Sequence, residues 1–165
     1  MKAFNVVLLT AITLFFLGCH KADVAYKMES NTFADSVVQK QLFSRQLTGL
    51  MPTVFQSAKA TDIAKNRIQD INKYLAEVNK MVDTGSVRIS EEQAQAFNVI
   101  QNLSPEAQKT EIYRLLLSID EEILALHIKA TGYLGLKDQT LRNWANEKVP
   151  FIQAGIAELA LIKIP

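Results

Sequence analysis

The sequence has little of what disulfide-rich, metal-binding and nucleic-acid-binding proteins depend on. It contains one cysteine, Cys19, two histidines and one tryptophan, and its 18 lysines and arginines nearly balance 17 aspartates and glutamates. A single cysteine excludes an internal disulfide. A balanced charge argues against a nucleic-acid partner, which a basic excess normally marks. Beyond Cys19 the chain also lacks an apolar run of the roughly 20 residues that a membrane-spanning helix needs.

The start of the chain is typical of an export signal that ends in a lipid-attachment cysteine. Lys2 provides a positive charge, residues 6–17 form a short apolar run, and residues 16–19 read FLGC, which resembles a lipobox. We therefore expect residues 1–18 to be removed as a lipoprotein signal peptide and Cys19 to carry the lipid. The alternative is an ordinary secretory signal with an incidental cysteine, because the first two lipobox residues differ from the preferred ones.

The lipid on Cys19 would be the only device that holds the mature chain at a membrane. Lys2 lies in the removed segment, so the remaining charges balance and give no attraction to an anionic lipid surface. The residue after Cys19 is His20 rather than aspartate, which by the usual enterobacterial sorting rule predicts the outer membrane, facing the periplasm. Residues 19–31 are polar and aperiodic, which predicts a tether, and residues 32–165 predict the folded domain.

Beyond the tether, the long segments have apolar residues at the three- and four-residue steps of amphipathic helices. Four main helices with short connections predict an all-α fold, an antiparallel four-helix bundle with a short extra helix before the third main helix. The short helix starts at the capping box SEEQ of residues 90–93. The predicted main helices start at or next to Phe33, Thr61, Pro105 and Asp138.

The same steps predict which residues face the core. On the second main helix the predicted inner residues are Ala64, Ile68, Ile71, Leu75, Val78 and Val82. On the third they are Ile112, Leu116, Ile119, Ile123, Leu126, Ala130 and Tyr133. An interior proline removes a backbone donor and clashes with the preceding turn. Pro52 therefore predicts a kink or break near Leu50, and Pro150 predicts a kink in the last main helix.

Bundles of this kind often hold metal ions in their cores, and the sequence predicts that this one holds neither a metal nor a cofactor. A di-iron site needs Glu-x-x-His on two helices, but Leu124 stands three residues before His127, and His20 lies in the tether. We interpret His127 as a histidine at the edge of the core that donates to a carbonyl or to water. A metal or haem ligand is the alternative for this residue.

Three further residues are weak candidates for a ligand site. The run DEE at residues 120–122 predicts a solvated helix face, because consecutive residues point about 100° apart and cannot all bind one ion; Asp120 lies at its inner edge. Trp144 is expected to pack in the core or at its edge. Tyr113, like Tyr74, is expected to pack on a helix flank with its hydroxyl at the surface.

Three stretches of the domain carry a resemblance to a known family. Residues 138–150 read DQTLRNWANEKVP, residues 85–113 contain a short glycine link, a helix and a tyrosine, and residues 58–74 form a helix junction. Together these stretches resemble the exported bacterial helical-bundle family catalogued as domain of unknown function 4142. The resemblance implies a ferritin-like bundle in the envelope and leaves function open. It also implies that histidines of the family are replaced here by Glu121 and Gly155.

The spacing of the polar residues matches no phosphate-binding loop, dinucleotide fingerprint, nucleophile elbow or zinc-protease helix. We therefore hypothesise an envelope-anchored lipoprotein that is not an enzyme and whose bundle binds a protein or a small apolar partner. The alternative is a small-ligand or metal carrier with a pocket between the helices kinked at Pro52 and Pro150. An enzyme is the third hypothesis, and it requires His127, Asp120 and Tyr113 to converge in the folded chain.

Overall fold

The structure, a computed structural model, describes residues 26–162, and within this range the chain forms helices and no strand. The helices are α1 (Ser30–Phe55), α2 (Ala58–Met81), α3 (Glu91–Gln101), α4 (Pro105–Thr131) and α5 (Gln139–Leu159). The all-helical bundle predicted from the apolar spacing is confirmed. The predicted signal peptide, Cys19 and His20 lie outside the described residues.

Side-chain hydrogen bonds fix several of the helix starts. The capping box predicted at residues 90–93 is confirmed, since the Ser90 hydroxyl accepts from the Gln93 amide at 3.1 Å and the Gln93 side chain accepts from the Ser90 amide at 2.9 Å. Asp138 caps α5 by accepting from the Leu141 amide at 2.9 Å. The start predicted at Thr61 is wrong, because the hydroxyl of Ser57, four residues earlier, caps α2.

Neither proline divides its helix. Of the kink or break predicted near Leu50, a break is excluded, since α1 continues through Pro52 to Phe55; a kink there stays a prediction. The helix ends at Gln56, whose φ of 49° is in the left-handed region. Met51 is fully buried and Phe55 packs against the core, and this packing offsets the hydrogen bond that the proline removes.

The segment before α1 belongs to the fold rather than to the predicted tether. The Lys27 amide donates to the Leu134 carbonyl at 2.8 Å, and Met28 forms an isolated bridge with Leu136. Met28 and Leu136 are buried in one hydrophobic cluster. The tether predicted over residues 19–31 therefore ends before Met28.

Two side-chain contacts define the direction of the helices. α1 packs on both α2 and α4, and α5 packs mainly on α4, so α2 and α4 lie across the diagonal of the bundle. Arg67 bonds to Asp120 and Tyr74 bonds to His127, and in both pairs the partners are 53 residues apart. Because the sequence separation between the partners is the same in both pairs, α2 and α4 run in the same direction. The segment that contains α3 therefore crosses from one end of the bundle to the other.

Four rings, one from each main helix, form an aromatic layer in the core. Its members are Phe33, Tyr74, His127 and Trp144. Their ring centroids lie 4.9 to 6.5 Å apart in tilted or edge-to-face arrangements, which stabilise aromatic pairs beyond their buried area. Since all four main helices contribute, this layer ties them together at one level.

The inner face of α4 differs from the prediction at its C-terminal end. Five of the predicted inner residues are buried, namely Ile112, Leu116, Ile119, Ile123 and Ala130. His127 rather than Leu126 occupies the inner position between Ile123 and Ala130. Tyr133 is 78% exposed, because α4 ends at Thr131 and Gly132 is its C-cap.

Gly135 closes the turn between α4 and α5, and we expect its replacement to destabilise the protein. A Cβ at Gly135 would lie 2.0 Å from the Ala130 carbonyl oxygen, which accepts from the Leu136 amide at 2.9 Å. Gly135→Ala should lower the free energy of unfolding in urea by about 1–3 kcal/mol or more, since backbone must move. The control Gly49→Ala, in a helix with nothing within 4 Å, should raise it by up to about 1 kcal/mol. A Gly135→Ala protein as stable as the parent would contradict this packing.

Candidate functional site

Three of the predicted candidates lie along one face of α4 without forming one site. Tyr113, Asp120 and His127 follow one another at seven-residue intervals, which is about 10 Å per interval along the helix axis. Each has different surroundings. His127 lies in the aromatic layer and Asp120 bonds to Arg67. Tyr113 is half-buried against the hydrophobic cluster that contains Ile112 and Leu116. The convergence that the enzyme hypothesis requires is therefore not found.

His127 is fully buried, and both of its ring nitrogens have partners. Nδ1 lies 2.8 Å from the Ala145 carbonyl oxygen and Nε2 lies 2.7 Å from the Tyr74 hydroxyl. A carbonyl oxygen only accepts, so Nδ1 carries the proton and neutral Nε2 accepts from Tyr74. Burial, with a smaller contribution from the charge of Lys148, lowers the pKa of His127 to about 4, against the opposing effect of its bond to Ala145. The bond to a carbonyl agrees with the sequence interpretation, but the residue lies in the core rather than at its edge.

Trp144 and Tyr74 complete this buried network. Trp144 is 8% exposed, packs on both rings, and donates from Nε1 to a Glu77 carboxylate oxygen at 3.0 Å. The hydrogen bonds from Lys148 and then Trp144 lower the pKa of Glu77, and burial raises the pKa of Tyr74 well above its ordinary value. The prediction of a Tyr74 hydroxyl at the surface is wrong, because that hydroxyl is the donor to His127.

Asp120 is part of a buried ion pair, and its prediction as a solvated residue is wrong. Its two carboxylate oxygens accept from Arg67 Nη1 at 2.9 Å and from Nη2 at 3.1 Å, and both residues are less than one tenth exposed. Glu121 and Glu122 face solvent, as predicted, and Glu122 pairs with Lys40. Asp120 turns inward because Arg67, on the diagonal helix α2, provides the opposite charge that a buried carboxylate requires.

The ion pair leaves polar groups without protein partners. Arg67 Nη2 also donates to the Ser44 hydroxyl at 3.2 Å. Arg67 Nε and the Thr48 hydroxyl are buried and have no hydrogen-bond partner within the part of the chain that the structure describes. Buried polar groups are rarely left unpaired in proteins, and of these two residues Arg67 lines a groove between α2 and α5, whereas Thr48 does not.

A groove between α2 and α5 leads to this ion pair. Its volume is about 640 Å³, and it extends from Lys148 on α5 to Leu161, two residues beyond the end of that helix. Small side chains of α5 face α2 over the middle of the groove, namely Ala154, Gly155 and Ala157. A Cβ at Gly155 would lie 3.5 Å from Arg67 Nη1, so the glycine is the point at which the otherwise buried guanidinium meets the groove.

The groove has an apolar wall and a polar floor. Its apolar residues are Ile71, Phe151, Ile152 and Leu161, of which Phe151 and Leu161 are largely exposed at the rim. Its floor holds Arg67, Asp120 and the Gln41 side chain from α1. Neither Pro52 nor Pro150 lines the groove. The pocket that the carrier hypothesis expects between the helices kinked at these prolines, α1 and α5, is found between α2 and α5 instead. Sequence reasoning missed Arg67 and Gln41 because no short motif contains them.

Residues 26–162 contain neither a cluster of metal ligands nor a membrane-spanning helix. In this range no three histidine, cysteine, aspartate or glutamate side chains come close enough to hold a metal ion together. None of the described helices is long and apolar enough to span a bilayer.

The neutral, buried His127 should make the stability of the protein depend on pH. Its pKa of about 4 in the folded chain lies below the unfolded value of about 6.5, so between these values the unfolded chain binds a proton that the folded chain does not bind. The free energy of unfolding should therefore be highest above about pH 6.5 and fall by about 1.4 kcal/mol per pH unit on acidification toward about pH 4.

Urea unfolding at about pH 7 and about pH 5 measures this dependence. His127→Gln should remove it in that interval, because an amide does not titrate. The carboxylates with a lowered pKa, Glu77 and Glu111, titrate below the interval. Equal pH dependence in the parent and the variant would contradict a neutral His127.

Comparisons with known proteins give no relative from which a function could be transferred. No family model, no curated protein and no solved structure matches the chain. The resemblance to the exported-bundle family stays a prediction. Of the two residues that this resemblance would place where the family has histidines, Glu121 is exposed on α4 and Gly155 lines the groove. Only the second of these two positions therefore lies in the groove between α2 and α5.

Proposed function

We propose that the protein is a carrier of a small apolar molecule, which it binds in the groove between α2 and α5, and that lipid on Cys19 anchors it to the cell envelope. The observation that carries this proposal is the groove itself. Its volume of about 640 Å³ falls within the range of roughly 300–1,000 Å³ that is typical of small-molecule sites. An apolar wall above a few convergent polar groups is also the usual composition of such sites.

The packing of α5 supports this proposal. α2 and α5 contact each other much less than either contacts its other neighbours, since the small residues of α5 do not interlock with α2. A helix pair of a soluble bundle normally buries its apolar faces together. Here Phe151 and Leu161 stay 69% and 54% exposed along the groove, so a bound apolar molecule would cover side chains that the fold leaves open to water.

The chemistry of the polar residues favours binding over catalysis. His127, the residue best suited to proton transfer at neutral pH, has both nitrogens engaged in the aromatic layer. Arg67 and Asp120 are engaged with each other. A general base or nucleophile needs a free group within hydrogen-bond distance of its substrate, whereas the imidazole of His127 and the carboxylate of Asp120 are already held by protein partners.

Filling the groove at Gly155 should weaken the binding of an uncharged apolar probe. We would titrate the mature chain carrying Cys19→Ala, which needs no detergent, with N-phenyl-1-naphthylamine, whose fluorescence rises in apolar surroundings. Gly155→Leu should weaken binding by about tenfold or more, a loss of about 1.4 kcal/mol, because the new side chain occupies the middle of the groove.

The matched control is Gly49→Leu, at an exposed helical glycine with nothing within 4 Å of its Cβ position. This control should bind the probe like the parent. Absence of probe binding to the parent, or unchanged binding by Gly155→Leu, would contradict the carrier proposal.

The anchoring part of the proposal rests on Cys19 and can be tested separately. Replacement of Cys19 by alanine removes the only thiol in the chain, and with it the attachment point for lipid. In a bacterial host that processes the signal, the parent should partition with the membranes and Cys19→Ala should appear in the soluble periplasmic fraction. A Cys19→Ala protein that stays in the membrane fraction would refute the lipoprotein assignment.

A further inference from the structure

The floor of the groove offers hydrogen-bond donors and acceptors but no net charge. Arg67 and Asp120 neutralise each other through two hydrogen bonds. A guanidinium has five N–H groups, and Asp120 and Ser44 take three of them here. Nε–H has no partner among the described residues, and Nη1 keeps one N–H beside the open space at Gly155. Each Asp120 oxygen accepts one bond from Arg67 and retains acceptor capacity.

Gln41 adds an amide to the same floor. It is only 8% exposed and lines the groove from α1, and no hydrogen bond between described residues involves its side chain. An amide carries both a donor and an acceptor, which Gln41 can offer to a molecule bound in the groove. A ligand that presents a donor and an acceptor together would satisfy Gln41 and the free capacity of the ion pair.

The mouth of the groove is also balanced in charge. Lys73 and Lys148 lie on its lining together with Asp70 and Glu158, and Lys148 is paired with Glu77. A charged head would lose its hydration at the floor without meeting an opposite net charge. An uncharged head avoids this cost, and the apolar wall suits a hydrocarbon body.

We propose that the groove selects an apolar molecule with an uncharged amide head, and that it discriminates against a carboxylate or an ammonium on the same hydrocarbon body. The inference rests on the proposed carrier function. The amide head lies at Gln41 and the Arg67–Asp120 pair, and the hydrocarbon body lies along Ile152 and Phe151.

Three probes of equal chain length and different head test this selectivity on the parent protein. Decanamide, decanoate and decylamine would each displace N-phenyl-1-naphthylamine at concentrations below those at which they form micelles. Decanamide should bind about tenfold more tightly than either charged probe, the amount that one well-made additional hydrogen bond supplies.

A substitution at Gln41 tests where the head binds. Gln41→Leu keeps the size of the side chain and removes its amide, so it should weaken decanamide binding by about tenfold relative to the naphthylamine binding of the same variant. The matched control is Gln46→Leu, at an exposed glutamine of the same helix, which should bind both molecules like the parent.

The outcomes separate this inference from the carrier proposal. Equal displacement by the three probes, or tighter binding of decanoate or decylamine, would overturn the head selectivity. The carrier proposal would still stand in that case, provided that the parent binds naphthylamine. Unchanged decanamide binding by Gln41→Leu overturns the assignment of the head position. If the parent does not bind naphthylamine, the carrier proposal fails first. The series on the parent decides the selectivity even if Gln41→Leu does not fold.

Discussion

The buried ion pair between Arg67 and Asp120 is the constraint on which the rest of the structure depends. It joins α2 and α4 across the diagonal of the bundle, in register with the bond between Tyr74 and His127 two turns further along. A buried ion pair adds little net stability, because desolvation offsets the attraction, but a member left without its partner costs several kcal/mol. The helices are therefore held in the register in which Arg67 meets Asp120.

Helix α5 covers the core at the aromatic layer but leaves it open to the groove at the Arg67–Asp120 pair. At the aromatic layer α5 contributes Trp144, whose ring packs on His127 and Tyr74. At the ion pair α5 contributes Gly155, which has no side chain to cover the guanidinium. This difference explains why the groove forms at the ion pair rather than at His127, and why the histidine, the most conspicuous residue in the sequence, has a structural role in the fold.

The helical fold and the capping box at residues 90–93 could be predicted from sequence because they depend on local periods and local hydrogen bonds. The inner faces were predicted one residue away from their true positions at three places. Apolar spacing predicts Ile68, Leu75 and Leu126, whereas the buried positions hold their polar neighbours Arg67, Tyr74 and His127. A polar residue becomes an inner residue only when a distant partner satisfies it, and a partner 53 residues away leaves no local pattern. The groove was beyond prediction for the same reason, since it depends on which side chain α5 places over Arg67.

The central claim is that the ion pair is kept for what it presents to the groove rather than for stability, and replacing both partners together tests it most directly. In the double variant Arg67→Met/Asp120→Leu no charge is left unpaired, so the free energy of unfolding should stay within about 1 kcal/mol of the parent or exceed it. Binding of decanamide should nevertheless fall to the level of the charged probes. A double variant that binds decanamide like the parent, or that unfolds as easily as a protein with one unpaired buried charge, would contradict the account.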